Sequence, residues 1–91
     1  MSKIDDYSKK RGQNDPLFAS EVKQSAFNLD AAVAVTNLRK SLHLNQREFA
    51  ALVGKPQSTI SRIEHGSMNV STQVLSQIAA GTHRRLKIQF I

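Results

Sequence analysis

Five side chains within six positions, Gln57, Ser58, Thr59, Ser61 and Arg62, carry hydrogen-bonding groups that suit the edges of DNA bases. A Gln amide can pair with adenine through two hydrogen bonds and an Arg guanidinium with guanine, while a Ser or Thr hydroxyl suits a base edge or a phosphate. No acidic residue interrupts the set. The plainer alternative is a solvated helix face for Gln57, Ser58 and Ser61, and a surface ion pair for Arg62. Eleven residues earlier, Gln46 stands at the expected start of a helix, where free backbone amides and the helix dipole favour a phosphate. Arg47 and Lys55 offer two further phosphate contacts. The combined chemistry is base reading beside backbone anchoring.

Other chemistries find less support. The three histidines, His43, His65 and His83, each fall near an expected helix end, with no i, i+4 pair and no HExxH spacing, so no metal site is expected. His43 and His65 fit better as helix terminators. Cysteine is absent, which excludes disulfides, thiolate ligands and a Cys nucleophile. No nucleotide-binding or nucleophile-elbow pattern occurs and no paired groups suit acid–base work, so neither an enzyme nor a cofactor is expected.

The chain carries 13 Lys and Arg against 7 Asp and Glu, a net charge of +6 and a pI near 10.2, which favours a polyanionic partner. A membrane surface would need a basic amphipathic helix with bulky apolar groups, but the charge is spread, +1 over residues 1–28, +2 over 29–81 and +3 over 82–91. No apolar run approaches the roughly 18 residues of a membrane span, and no signal-peptide pattern opens the chain, so a soluble cytoplasmic protein is expected. RNA recognition would call on exposed aromatics for stacking, and the five aromatics include several expected in the core.

Ninety-one residues and 10.1 kDa fit one small domain whose modest core would gain from dimerisation. Residues 1–14 hold too little apolar surface to order themselves and are expected to form a flexible tail. Asp15 and Pro16 suit a helix start, and Phe18, Val22, Ala26 and Leu29 recur at helical spacing, predicting an N-terminal helix over 15–28. Asp30 is the next candidate cap, before a helix with Ala31, Val35, Leu38 and Leu42 inward and Arg39 and Lys40 near its negative end.

Asn45 with Glu48 three residues on has the form of a capping box for a helix over 45–53, with Phe49, Ala50 and Val53 inward. Gly54 permits the turn, and Pro56 opens a helix over Gln57–Glu64 with Ile60 and Ile63 inward. Glu64 is expected to be structural, at a helix end or in an ion pair. Gly66 stops that helix, and Ser71 caps a last one through Val74, Leu75, Ile78 and Ala79. After Gly81 the period changes to two: Leu86, Ile88 and Phe90 alternate with Lys87 and Gln89, which predicts a strand. The sequence holds no second strand, so this one must pair with another chain or stay disordered.

The segment LNQREFAALVGKPQSTISRIEHG, residues 44–66, closely resembles the helix-turn-helix of the Cro/cI-type (Xre) family, through Gln46, Ala50, Gly54, Gln57, Ile60, Ile63, Glu64 and Gly66. The resemblance implies an all-α, lambda-repressor-like domain over 29–82 that binds double-stranded operator DNA, with Gln46 gripping the DNA backbone as in that family. Three residues depart from the pattern: Pro56 where a capping Ser or Thr is commoner, Lys55 for an apolar turn residue, and Gly81 where the last helix often continues.

The ends, DPLFASEVKQSAF and HRRLKIQFI, resemble in layout the antitoxins of higBA- and hipBA-type toxin–antitoxin modules. That likeness implies a homodimer joined by a strand over 83–91 through Leu86, Ile88 and Phe90, and a cognate toxin as partner. It implies autorepression of a toxin–antitoxin operon; the alternative is a stand-alone phage-type repressor.

Overall fold

The computed structural model describes residues 16–91, with side chains from Lys23 onward. Four helices follow in order: α1 Pro16–Ser41, α2 Gln46–Val53, α3 Gln57–Glu64 and α4 Thr72–Gly81. The boundaries follow from local chemistry. Asn45 accepts from the Glu48 amide while Glu48 accepts from the Asn45 amide, the reciprocal capping box expected at this position. Pro56 precedes α3 without a side-chain cap, and Ser71 caps α4 by accepting from the Val74 amide.

All four helices end alike. His43, Gly54, Gly66 and His83 take left-handed backbone angles, with φ of 58°, 69°, 68° and 56°. The next amide then reaches back five residues, as in Leu44 N to Arg39 O at 3.4 Å and Lys55 N to Ala50 O at 2.9 Å. His43 ends α1 and His65 caps the end of α3, both as expected, while Gly66 and His83 make the turns after α3 and α4.

The first half of the chain departs from expectation. No break separates an N-terminal helix from a second one at Asp30; α1 runs unbroken for 26 residues, with Asp30 exposed along its length. Asn28 is the physical reason. Its side chain is buried and engaged elsewhere, donating to Asn69 Oδ1 at 3.1 Å and accepting from the Val70 amide at 3.2 Å, so it does not compete for the helical backbone. Neither Gly nor Pro lies between Leu17 and Ser41 to stop propagation.

Continuity fixes which side of α1 faces inward. Asn28, Ala31 and Val35 are buried, and Leu38 and Leu42 pack on the core, whereas Ala26 and Leu29 are rotated away and exposed rather than inward. The side chains of Phe18 and Val22, the Asp15 cap and the 1–14 tail lie outside the described residues.

The core joins Ala31 and Val35 to Phe49, Ala50, Val53, Ile60, Ile63, Val70 and Ile78, with Phe49, Ile60 and Ile63 wholly buried. Each of those three contributes about 1.5–3 kcal/mol by leaving water. Gly81 lies where α4 crosses the end of α2. A Cβ there would stand 2.9 Å from Val53 Cα, so the position needs glycine for close approach. α4 runs through Gly81, and among the described residues there is no strand; one chain supplies no partner for residues 84–91.

Candidate nucleic-acid interface

The α2–turn–α3 unit sorts the residues of α3 by side. Ile60 and Ile63 point into the core and hold the helix, while Gln57, Ser58 and Arg62 are exposed and Thr59 and Ser61 half-buried at the edges. Eight residues at 1.5 Å make a rod of about 12 Å, which fits the major groove. At its start the Thr59 and Ile60 amides bond to Pro56 O. The Gln57 and Ser58 amides have no intrahelical acceptor, which leaves donors free at the end carrying the candidate base-reading groups. Toward its other end, His65 Nδ1 donates to Ser61 O at 2.6 Å, and Ser61 Oγ stands 3.4 Å from the same nitrogen.

An ion pair locks α3 against α1. Arg39 donates Nε to Glu64 Oε2 at 2.8 Å and Nη2 to Oε1 at 3.0 Å, a two-point fork with both side chains largely shielded, and its Nη1 reaches Leu44 O at 2.9 Å. Gln46 Nε2 donates to Glu64 Oε1 at 3.3 Å, tying the first residue of α2 into the same cluster. Burial pushes the Glu64 carboxyl up, but the hydrogen bonds from Arg39 and Gln46, the Arg39 charge and Thr36 together hold it below the ordinary carboxylate value. The hydrogen bond to Glu64 is the main reason the Arg39 guanidinium is held still more firmly protonated. Among the described residues every buried side-chain polar atom has a partner.

The structure gathers most of the expected site. Gln46 opens α2, half-buried, with its side-chain amide nitrogen donating to Glu64; Arg47 beside it is exposed. Lys55, in the turn, donates its Nζ to Gln77 Oε1 of α4. The C-terminal group stands apart. Leu86 is half-buried over an apolar cavity of about 120 Å³ lined also by Ala34, Leu38, Leu75 and Ile78, while Ile88 and Phe90 are exposed.

From sequence alone Glu64 is a structural group without an identified partner, and Arg39 only a charge near a helix end. The two lie 25 residues apart, and only the packing of α3 on α1 brings them together. Asn28 was missed as well. An amide among the apolar residues Phe27, Leu29 and Ala31 was the available signal.

A family model described as helix-turn-helix, of the Xre/Cro type, matches residues 35–86, more than half of the chain. It begins midway along α1. Comparison with curated proteins and with solved structures gave no match.

Proposed function

The chain belongs to the Xre/Cro-type helix-turn-helix family of DNA-binding transcription regulators, and from that premise we propose that it is a sequence-specific repressor working as a homodimer. Two copies of α3 enter successive major grooves of a palindromic operator, about 34 Å apart. The outward face of α3 carries this reading: Gln57, Ser58 and Arg62 exposed, no acidic group among them, on a helix held rigid by Ile60, Ile63 and the Arg39–Glu64 pair. Thr59 and Ser61 join the base-reading set from the edges. Gln46, Arg47 and Lys55 anchor the phosphates, and the residues over 83–91 pair between copies through Leu86, Ile88 and Phe90.

In its finer form the reading is an antitoxin that represses its own operon and neutralises a cognate toxin through the first 30 residues. The supporting features are the helical extension ahead of the family domain and the basic, apolar C-terminus. The test is a pull-down of the tagged full chain expressed with its genomic neighbours, with bound protein identified and bound DNA sequenced. A neighbouring small protein together with the chain's own promoter is the expected result. Promoter DNA alone would make it a stand-alone repressor, and no sequence preference in the bound DNA would overturn the repressor reading.

A further inference from the structure

The half of α1 that precedes the family match has a surface unlike that of the other helices. Ala26, Leu29 and Val33 are exposed, Leu29 by 62% and Val33 by 61%. Their spacing of three and then four residues puts them on one stripe, turned away from the side that carries Asn28, Ala31 and Val35 into the core. In the sequence, Val22 continues the spacing. Alternation of three and four is the repeat by which two helices pack along a shared seam.

The charges beside the stripe say which helix fits it. Lys23 and Asp30 are both exposed and flank the stripe on the same side. They are seven residues apart, about 10.5 Å along the axis, too far to pair within one helix. A second α1 laid antiparallel, with the two-fold axis between residues 27 and 28, sets Leu29 against Ala26 of the partner subunit. It also brings Lys23 within two residues, about 3 Å of axial offset, of Asp30 of the partner subunit. The symmetry repeats that ion pair, so one helix face is complementary to itself. The other flank carries no charge: Ser25 is exposed there and Ala32 is already buried against the domain. A parallel pairing would place neither charge opposite its complement.

We propose that α1 carries a self-association surface of its own, pairing antiparallel with α1 of another copy through Ala26, Leu29 and Val33, with Lys23 and Asp30 in reciprocal ion pairs. This surface lies on a different part of the molecule from Leu86, Ile88 and Phe90, and it does not depend on their pairing. The stripe is short, so the contact belongs with weak interfaces, those burying less than about 1,200 Å². It suits molecules already held side by side on neighbouring DNA sites.

The test is sedimentation of the full chain over a concentration series, with circular dichroism to check that each variant is folded. Leu29→Glu with Val33→Glu should weaken α1 association at least tenfold. Lys23→Asp alone and Asp30→Lys alone should each weaken it several-fold, and the double exchange should restore it. Ile88→Ser with Phe90→Ser separates the two surfaces. If both operate, each pair of substitutions removes one step of assembly and all four together give a monomer. If only α1 operates, Ile88→Ser with Phe90→Ser changes nothing. Assembly that is indifferent to Leu29→Glu with Val33→Glu, or a double charge exchange no better than the single ones, would overturn the proposal.

Discussion

Between Gln46 and Glu64 the large apolar side chains are Phe49, Leu52, Val53, Ile60 and Ile63, and all but Leu52 are buried. Toward the ends of the described chain the pattern inverts: Leu29, Val33, Ile88, Phe90 and Ile91 all stand in solvent. What is exposed also differs. α3 shows water amides, hydroxyls and a guanidinium, groups that lose little by being wet and can exchange water for base edges. The ends show aliphatic and aromatic carbon, which gains only from leaving water. The helix-turn-helix thus buries its large apolar groups, Leu52 apart, within one chain and offers water mainly polar ones, whereas the ends of the described chain leave apolar groups uncovered.

Truncating one aromatic from each region should separate them most strongly. Phe49→Ala should cost about 3–5 kcal/mol of unfolding free energy by opening a cavity in the core. Phe90→Ala, at a side chain 99% exposed, should leave the fold within about 0.5 kcal/mol of the wild type. Denaturant titration at a concentration low enough to keep the chain monomeric reads both.

Next in size is the pair that holds α3 in place. Arg39→Ala leaves the shielded Glu64 charge with only Gln46 and Thr36 and should cost about 3 kcal/mol at neutral pH. The pH dependence has a definite sign. Glu64 titrates lower in the folded chain than in the unfolded one, so its contribution is fully present above the ordinary Glu value of about 4.3 and is lost as pH falls through the depressed folded value. Stability measured against pH should therefore show an acid-side loss in the wild type that is smaller in Arg39→Ala.

Gly81→Ala should be milder, about 1–2 kcal/mol, because overpacking against Val53 outweighs the better helix propensity of alanine. A rise in thermal midpoint on that substitution would show that α4 does not press on α2 as described.

The residues legible from sequence were those whose structure is decided by near neighbours. The Asn45–Glu48 box, the turns at Gly54 and Gly66, the start at Pro56 and the Ser71 cap each depend on groups within about five residues, and the helix limits follow them closely. The outward side of α3 was legible for the same reason, since Ile60 and Ile63 fix the inward one. The continuity of α1 was not. A local signal at Asp30 argued for a break, and the contact of Asn28 with Asn69 and Val70, more than 40 residues away, decided against it. The Arg39–Glu64–Gln46 cluster was out of reach likewise, because it exists only once α1, α2 and α3 have packed.

Base reading by α3 is tested most directly by the affinity of the wild type, Gln57→Ala and Gln46→Ala for the selected operator and for random duplex DNA, each over a series of salt concentrations. Gln57→Ala should lose about 1–3 kcal/mol on the operator and almost nothing on random DNA, while Gln46→Ala should weaken both alike. Equal loss from Gln57→Ala on the two DNAs would contradict the claim that the exposed face of α3 reads bases.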